Sequence, residues 1–137
     1  MRIYKGIITE LPENGIFVYG ANTEGRHGKG AALLARQKFG AKYGLVGLQG
    51  QSYGIVTKDL TKRVHPSISE SSIRQQISNL YYIAKNSPEK DYYVVYSGSG
   101  VNLNGYTNKE MAVMFNDNPP PNVIFEEGFA KLMKELE

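Results

Sequence analysis

No cysteine occurs in the 137 residues, which excludes a disulfide framework and a thiolate metal site and suits a reducing compartment. No apolar run approaches the length that spans a bilayer, and no basic-then-apolar leader opens the sequence, so a cytoplasmic protein without membrane contact is expected. Charge of one sign is scarce too. The formal excess is +3, with a pI near 9.0, and the lysines and arginines are scattered among nearly as many acids. Nucleic-acid binding calls for a dense basic face with stacking aromatics, so a small anionic ligand suits this balance better. The ten tyrosines keep base stacking as a competing reading, although most read as strand residues.

Two nucleotide-binding motifs fail. Walker A requires Gly, four residues, then Gly-Lys-Ser/Thr; here Gly30 follows Gly28-Lys29, and Thr23 stands where the first glycine belongs. The dinucleotide pattern Gly-x-Gly-x-x-Gly/Ala fails at its last position, where Gly28-Lys29-Gly30-Ala31-Ala32 continues with Leu33.

What is present is a strand, a glycine-rich turn and a helix start. Ile16-Phe17-Val18-Tyr19 is β-branched and aromatic and reads as a strand. It delivers the chain into Gly20-Ala21-Asn22-Thr23-Glu24-Gly25-Arg26-His27-Gly28-Lys29-Gly30. From Ala31 the apolar residues Leu34, Ala35 and Phe39 follow helical spacing, and Gly40 is placed to end the helix. Free N–H groups and the positive end of a helix at such a turn suit phosphate.

The remainder alternates strands with helices. Arg2 to Thr9 reads as a first strand followed by a turn over Glu10 to Gly15, and Gly47 to Gln51 reads as loop. Ser52 to Val56 is a short strand, with Thr57, Lys58 and Asp59 at its end, where side chains of open α/β sheets meet ligand. Ser67 or Ser69 caps the next helix, Ser67 and Glu70 having capping-box spacing. Ile73, Ile77, Leu80, Tyr81 and Ala84 form its packing stripe, and Asn86-Ser87-Pro88 stops it. Tyr92 to Tyr96 is a strand, Thr107 and Glu110 cap a short helix holding Met111, Met114 and Phe115, and Asn116 to Asn122 is a rigid connector. Val123-Ile124-Phe125 is the last strand, and Phe129, Leu132, Met133 and Leu136 mark a closing helix. A single layered α/β domain over residues 1–137 is the expectation.

Asn22 before Gly28-Lys29-Gly30-Ala31-Ala32 resembles the first ligand loop of macrodomains. Ser97-Gly98-Ser99-Gly100-Val101-Asn102-Leu103-Asn104-Gly105-Tyr106 resembles the phosphate loop of the same family, written Gly-x-Gly, an apolar residue, then Gly-aromatic. Arg26-His27-Gly28-Lys29-Gly30, Lys38-Phe39-Gly40 and Ile55-Val56-Thr57-Lys58 are similar to one branch. That branch contains the terminal ADP-ribose glutamate glycohydrolase and the yeast-type ADP-ribose 1″-phosphate phosphatase. Short phage and bacterial proteins of similar fold carry Gly-Arg-His-Gly, then Gly-Gln-Ser-Tyr and Thr-Lys-Asp.

The resemblance implies a three-layer α/β/α macrodomain-like fold with a mixed central sheet. It implies a protein that binds ADP-ribose or a derivative and hydrolyses it, as a 1″-phosphate phosphatase or a de-ADP-ribosylating hydrolase acting on an ADP-ribosylated protein. No cofactor or metal ion is expected. Lys58, His27 and Asn22 are the implied catalytic residues: Lys58 as nucleophile or phosphate partner, His27 as base or phosphate partner, and Asn22 on the distal ribose. The implied ligand contacts are Gly20, Ala21, Asn22, Gly28, Lys29, Gly30, Ala31 and Thr57 in the first half. In the second half they are Ser97, Gly98, Ser99, Gly100, Val101, Asn102, Gly105 and Tyr106. Plainer readings stand beside these: Asn22 bonding its own turn, Lys58 as a solvated cation, Tyr106 in the core.

Two positions depart from the family. Ile7, in Gly6-Ile7-Ile8-Thr9, stands where many macrodomains hold adenine with an aspartate, and Asn102 stands where the glycohydrolase has an aspartate. The alternatives are a binding module of the same fold without turnover, favoured by Asn102, and a small nucleic-acid-binding protein.

Overall fold

A computed structural model describes residues 1–26, 30–44, 46–96 and 104–136. Within them the chain runs β1 (Ile3–Tyr4), β2 (Gly15–Asn22), α1 (Gly30–Lys38), β3 (Gly47–Gln49), β4 (Ser52–Lys58), α2 (Glu70–Lys85), β5 (Asp91–Val94), α3 (Asn108–Phe115), β6 (Val123–Glu126) and α4 (Glu127–Lys134). The strands form one six-stranded sheet in the order β1-β6-β5-β2-β4-β3. Every pairing is parallel except that of β3 with β4. The fold is therefore α/β with a mixed sheet.

The residues of β2 explain its central place. Ile16, Phe17, Val18 and Tyr19 are all buried, as expected for a parallel strand covered on both faces. Alternation sends Phe17, Tyr19 and Ala21 to one side, against Ala35 and Phe39 of α1 and its following turn, with the Phe17 and Phe39 rings stacked at 4.8 Å. Ile16 and Val18 face the other side, where the apolar stripes of α2, α3 and α4 meet. Ile73, Ile77 and Leu80 of α2 are buried there, each contributing about 2 kcal/mol by leaving water. Tyr81 donates its hydroxyl to the Phe115 carbonyl and joins α2 to α3. The Thr107–Glu110 capping box forms in full at the start of α3.

The chain differs from the sequence reading in several places. The strand read as Ser52 to Val56 runs on through Thr57 to Lys58, held there by pairing with Ala21 and Asn22 of β2. The first strand is confined to Ile3–Tyr4, because Gly6 turns the chain at φ 79°. Gly47 to Gln49 is a strand rather than loop: Gly50 turns at φ 56°, Ser52 Oγ donates to the Gln49 carbonyl, and pairing with Ser52 to Gly54 holds the segment extended. The fifth strand ends at Val94, short of Tyr96. Ser69, not Ser67, caps α2, accepting from the Ser72 N–H.

Beyond Gly54, β4 continues past the end of β3. There the side chain of Gln76 on α2 answers both backbone groups of Val56, accepting from its N–H at 2.7 Å and donating to its carbonyl at 2.8 Å. Helix α2 is thereby fixed two residues from Lys58.

Candidate functional site at the carboxyl ends of β2, β4 and β5

The order of the strands locates a crevice. From β2 the chain leaves through α1 toward β4, whereas from β5 it leaves through α3 toward β6 on the opposite side. Strands β2 and β5 are neighbours, so the connections diverge between them, and open α/β sheets bind ligands outside the carboxyl ends of strands at such a point. In the sequence, the glycine-rich segments directly follow β2 and β5. His27, Gly28, Lys29, Ser97, Gly98, Ser99, Gly100, Val101 and Asn102 lie outside the described residues.

Helix α1 opens here at Gly30, whose φ is 65°. Its first turn contains no acidic residue, whereas α2, α3 and α4 have Glu70, Glu110 and Glu127 in theirs. Those glutamates offset the positive ends of their own helices; α1 has none in its first turn. Ala31 packs against the core on the α1 side, and Ala21 is buried in it.

Asn22 and Lys58 face each other across the end of the β2–β4 pair. Ala21 is opposite Val56 but Asn22 is opposite Lys58, so Thr57 is the extra residue of a bulge, a device that re-aims side chains at strand ends. Thr57 is buried, with its Oγ1 3.3 Å from where a Cβ on Gly20 would stand. The absent side chain of Gly20 thus makes room for Thr57.

The carboxamide of Asn22 holds its own loop. Oδ1 accepts from the N–H groups of Glu24 at 3.2 Å and Arg26 at 3.0 Å, and Nδ2 donates to the Arg26 carbonyl at 2.9 Å. The side chain closes the turn and retains one amide hydrogen. Lys58 is half-buried, and among the described residues no carboxylate pairs with its amine. Arg26, by contrast, pairs with Glu24 at 2.8 Å.

The loop after β4 is tied to both neighbours. Thr23 N–H donates to the Lys58 carbonyl at 3.0 Å. Asp59 accepts from the N–H and hydroxyl of Thr61 at 2.9 and 2.7 Å, and these bonds, the hydroxyl's first, hold its carboxyl below the ordinary range. Ser67 Oγ accepts from the Asp59 N–H at 2.8 Å and lies 2.7 Å from His65 Nδ1. All three groups are satisfied when the serine hydroxyl donates to that nitrogen. Among the described residues no carboxylate orients the other ring nitrogen, so the pair lacks the third member of a hydrolytic triad and acts as a loop lock.

Gly105 and Tyr106 serve this packing. At φ 89°, a Cβ on Gly105 would stand 2.5 Å from the His65 carbonyl carbon, so only glycine admits this approach. Tyr106 is buried in the core on the α2 side and donates its hydroxyl to the Ile68 carbonyl at 2.7 Å. Sequence reasoning missed Ser67, His65 and Gln76. Ser67 had a local explanation in its spacing to Glu70, and no sequence signal marks a bond to a residue eight positions earlier.

Among the described residues no group of three His, Cys, Asp or Glu side chains could hold a metal ion, and no helix is long and apolar enough to cross a membrane. Compared with known proteins, the chain matches no protein-family model and no curated protein.

Proposed function

We propose that the protein is a macrodomain-like hydrolase that binds ADP-ribose or a derivative in the crevice between β2 and β5 and removes a substituent from its distal ribose. The observation that carries the reading is the opening of α1. It has no carboxylate in its first turn, and α1 follows β2, the strand that ends at Asn22 opposite Lys58. A diphosphate is the ligand such an end favours. The resemblance of the loops at 22–32 and 97–106 to macrodomain ligand loops supports ADP-ribose in particular, and the mixed sheet suits that family.

Lys58 is the residue for chemistry. Its amine pairs with no carboxylate among the described residues. It can therefore meet a phosphate or, once deprotonated, attack the distal ribose as the bond to the substituent breaks, with water then releasing the ribose from the amine. Asn22 shapes the loop that receives the ligand. The same absence of a partnering carboxylate, with Asn102 in the second loop, favours a second reading: a module that binds without turnover.

Calorimetric titration with ADP-ribose, with AMP for comparison, tests the shared premise. Saturable one-to-one binding, weaker for AMP, is expected; no binding of ADP-ribose overturns both readings. Incubation of the protein with ADP-ribose 1″-phosphate and with an ADP-ribosylated protein then separates them, since survival of both substrates leaves the binding module.

A further inference from the structure

The loop between β4 and α2 has a feature that the nucleotide reading does not use. Lys62, Arg63, Val64, Pro66 and Ser67 line an open hollow of about 440 Å³. Lys62 and Arg63 are exposed and, among the described residues, form no ion pair. Val64 between them and the proline is 80% exposed, an apolar side chain held out into water.

The loop is braced. The Lys62 N–H donates to the Asp59 carbonyl at 3.1 Å, and the Asp59 N–H donates to Ser67 Oγ at 2.8 Å. The backbone at His65 and Pro66 lies against Gly105, and Tyr106 holds the Ile68 carbonyl. The cations and Val64 are therefore presented on a preorganised surface, which lowers the ordering cost of binding. Asp59, the one carboxylate between Lys58 and Ser67, is engaged with Thr61.

We infer that this hollow docks an acidic peptide segment with an apolar residue among its carboxylates. The carboxylates meet Lys62 and Arg63, and the apolar residue covers Val64 and Pro66. The chemistry favours a peptide over a nucleic acid: no aromatic ring lines the hollow for base stacking, and Val64 and Pro66 offer nothing to a phosphodiester. A contact this small is far below a standard interface, so a Kd on the order of 100 μM is expected. The inference stands independently of the nucleotide site.

The test is fluorescence anisotropy with a labelled Glu-Glu-Leu-Glu-Glu peptide. Its Gln-Gln-Leu-Gln-Gln counterpart and an oligothymidylate of equal charge serve as comparisons. Wild type is expected to bind the acidic peptide at least about fivefold more tightly than either comparison. The Lys62→Glu/Arg63→Glu double variant is expected to lose about tenfold, and Val64→Ser about threefold, with melting temperatures unchanged. ADP-ribose titration of the charge-neutral Val64→Ser variant should match wild type, which separates failure here from failure of the nucleotide site. Equal binding by wild type and the double variant, tighter binding of the oligonucleotide, or an unaltered Val64→Ser would each overturn the inference.

Discussion

Where β2, β4, β5 and β6 begin, side-chain amides close the surface. Asn122 donates to the carbonyls of Ala84, Ser87 and Lys90, Gln51 donates to those of Pro12 and Gly15, and Arg2 pairs with Asp91. Where the same strands end, Asn22, Asp59 and Ser67 also hold loops through the backbone. Yet Lys58, Lys62 and Arg63 stand there without carboxylates among the described residues, and the positive end of α1 faces no acid in its own first turn. At the first end side-chain amides bridge the strand starts to the helices and turns beside them, with the Gln49 Nε2 left over. At the other, side chains hold the loops through the backbone and, among the described residues, the cations of the β4–α2 loop pair with no acid. If the proposed site is right, stability and recognition are drawn from opposite ends of one sheet.

Substitution can break this comparison or sharpen it. The largest effect is expected for Asn122→Ala, which strips three carbonyls of one shared donor at a buried site and should cost about 3 kcal/mol in chemical denaturation. Its ADP-ribose affinity should stay within about twofold of wild type. Collapse of both together would erase the division between the ends.

Gly105→Ala comes next, since the new methyl meets the backbone at His65 and Pro66 in a left-handed conformation. A cost of about 2 kcal/mol is expected, with ADP-ribose binding about tenfold weaker because the loop after β4 is displaced. Stability lost with binding intact would show that this packing does not reach the crevice. Lys58→Ala is the smallest in stability, within about 0.5 kcal/mol, and should abolish turnover in a substrate incubation while the fold melts as before.

Much of the fold was legible because its signals are local. The stripe from Ile73 to Ala84 has helical period, Thr107 and Glu110 are three residues apart, and Val123-Ile124-Phe125 is a β-rich run; each formed as read. Gly47 to Gln49 was not legible, because two of its neighbouring glycines disfavour a strand and only pairing with β4 makes it one. The site divides in the same way. The plain reading of Asn22 as a residue that bonds its own turn is visible in its position, and the structure has those bonds. Gly105, by contrast, fits the glycine of a phosphate loop, while its need for glycine arises from His65 and Pro66, some forty residues earlier. The bulge at Thr57 is a property of two strands in register and leaves no mark on either alone.

The two bonds from Gln76 to Val56 bear on how the molecule keeps to itself. Past Gly54 the outer margin of β4 would expose an N–H and a carbonyl to any extended chain, the opening through which sheets fuse edge to edge. Here a carboxamide, which has the donor and acceptor of a peptide group, occupies that margin from a helix. The sheet is closed at this point by one side chain imitating the next strand, and a helix, unlike a strand, passes nothing on to another molecule.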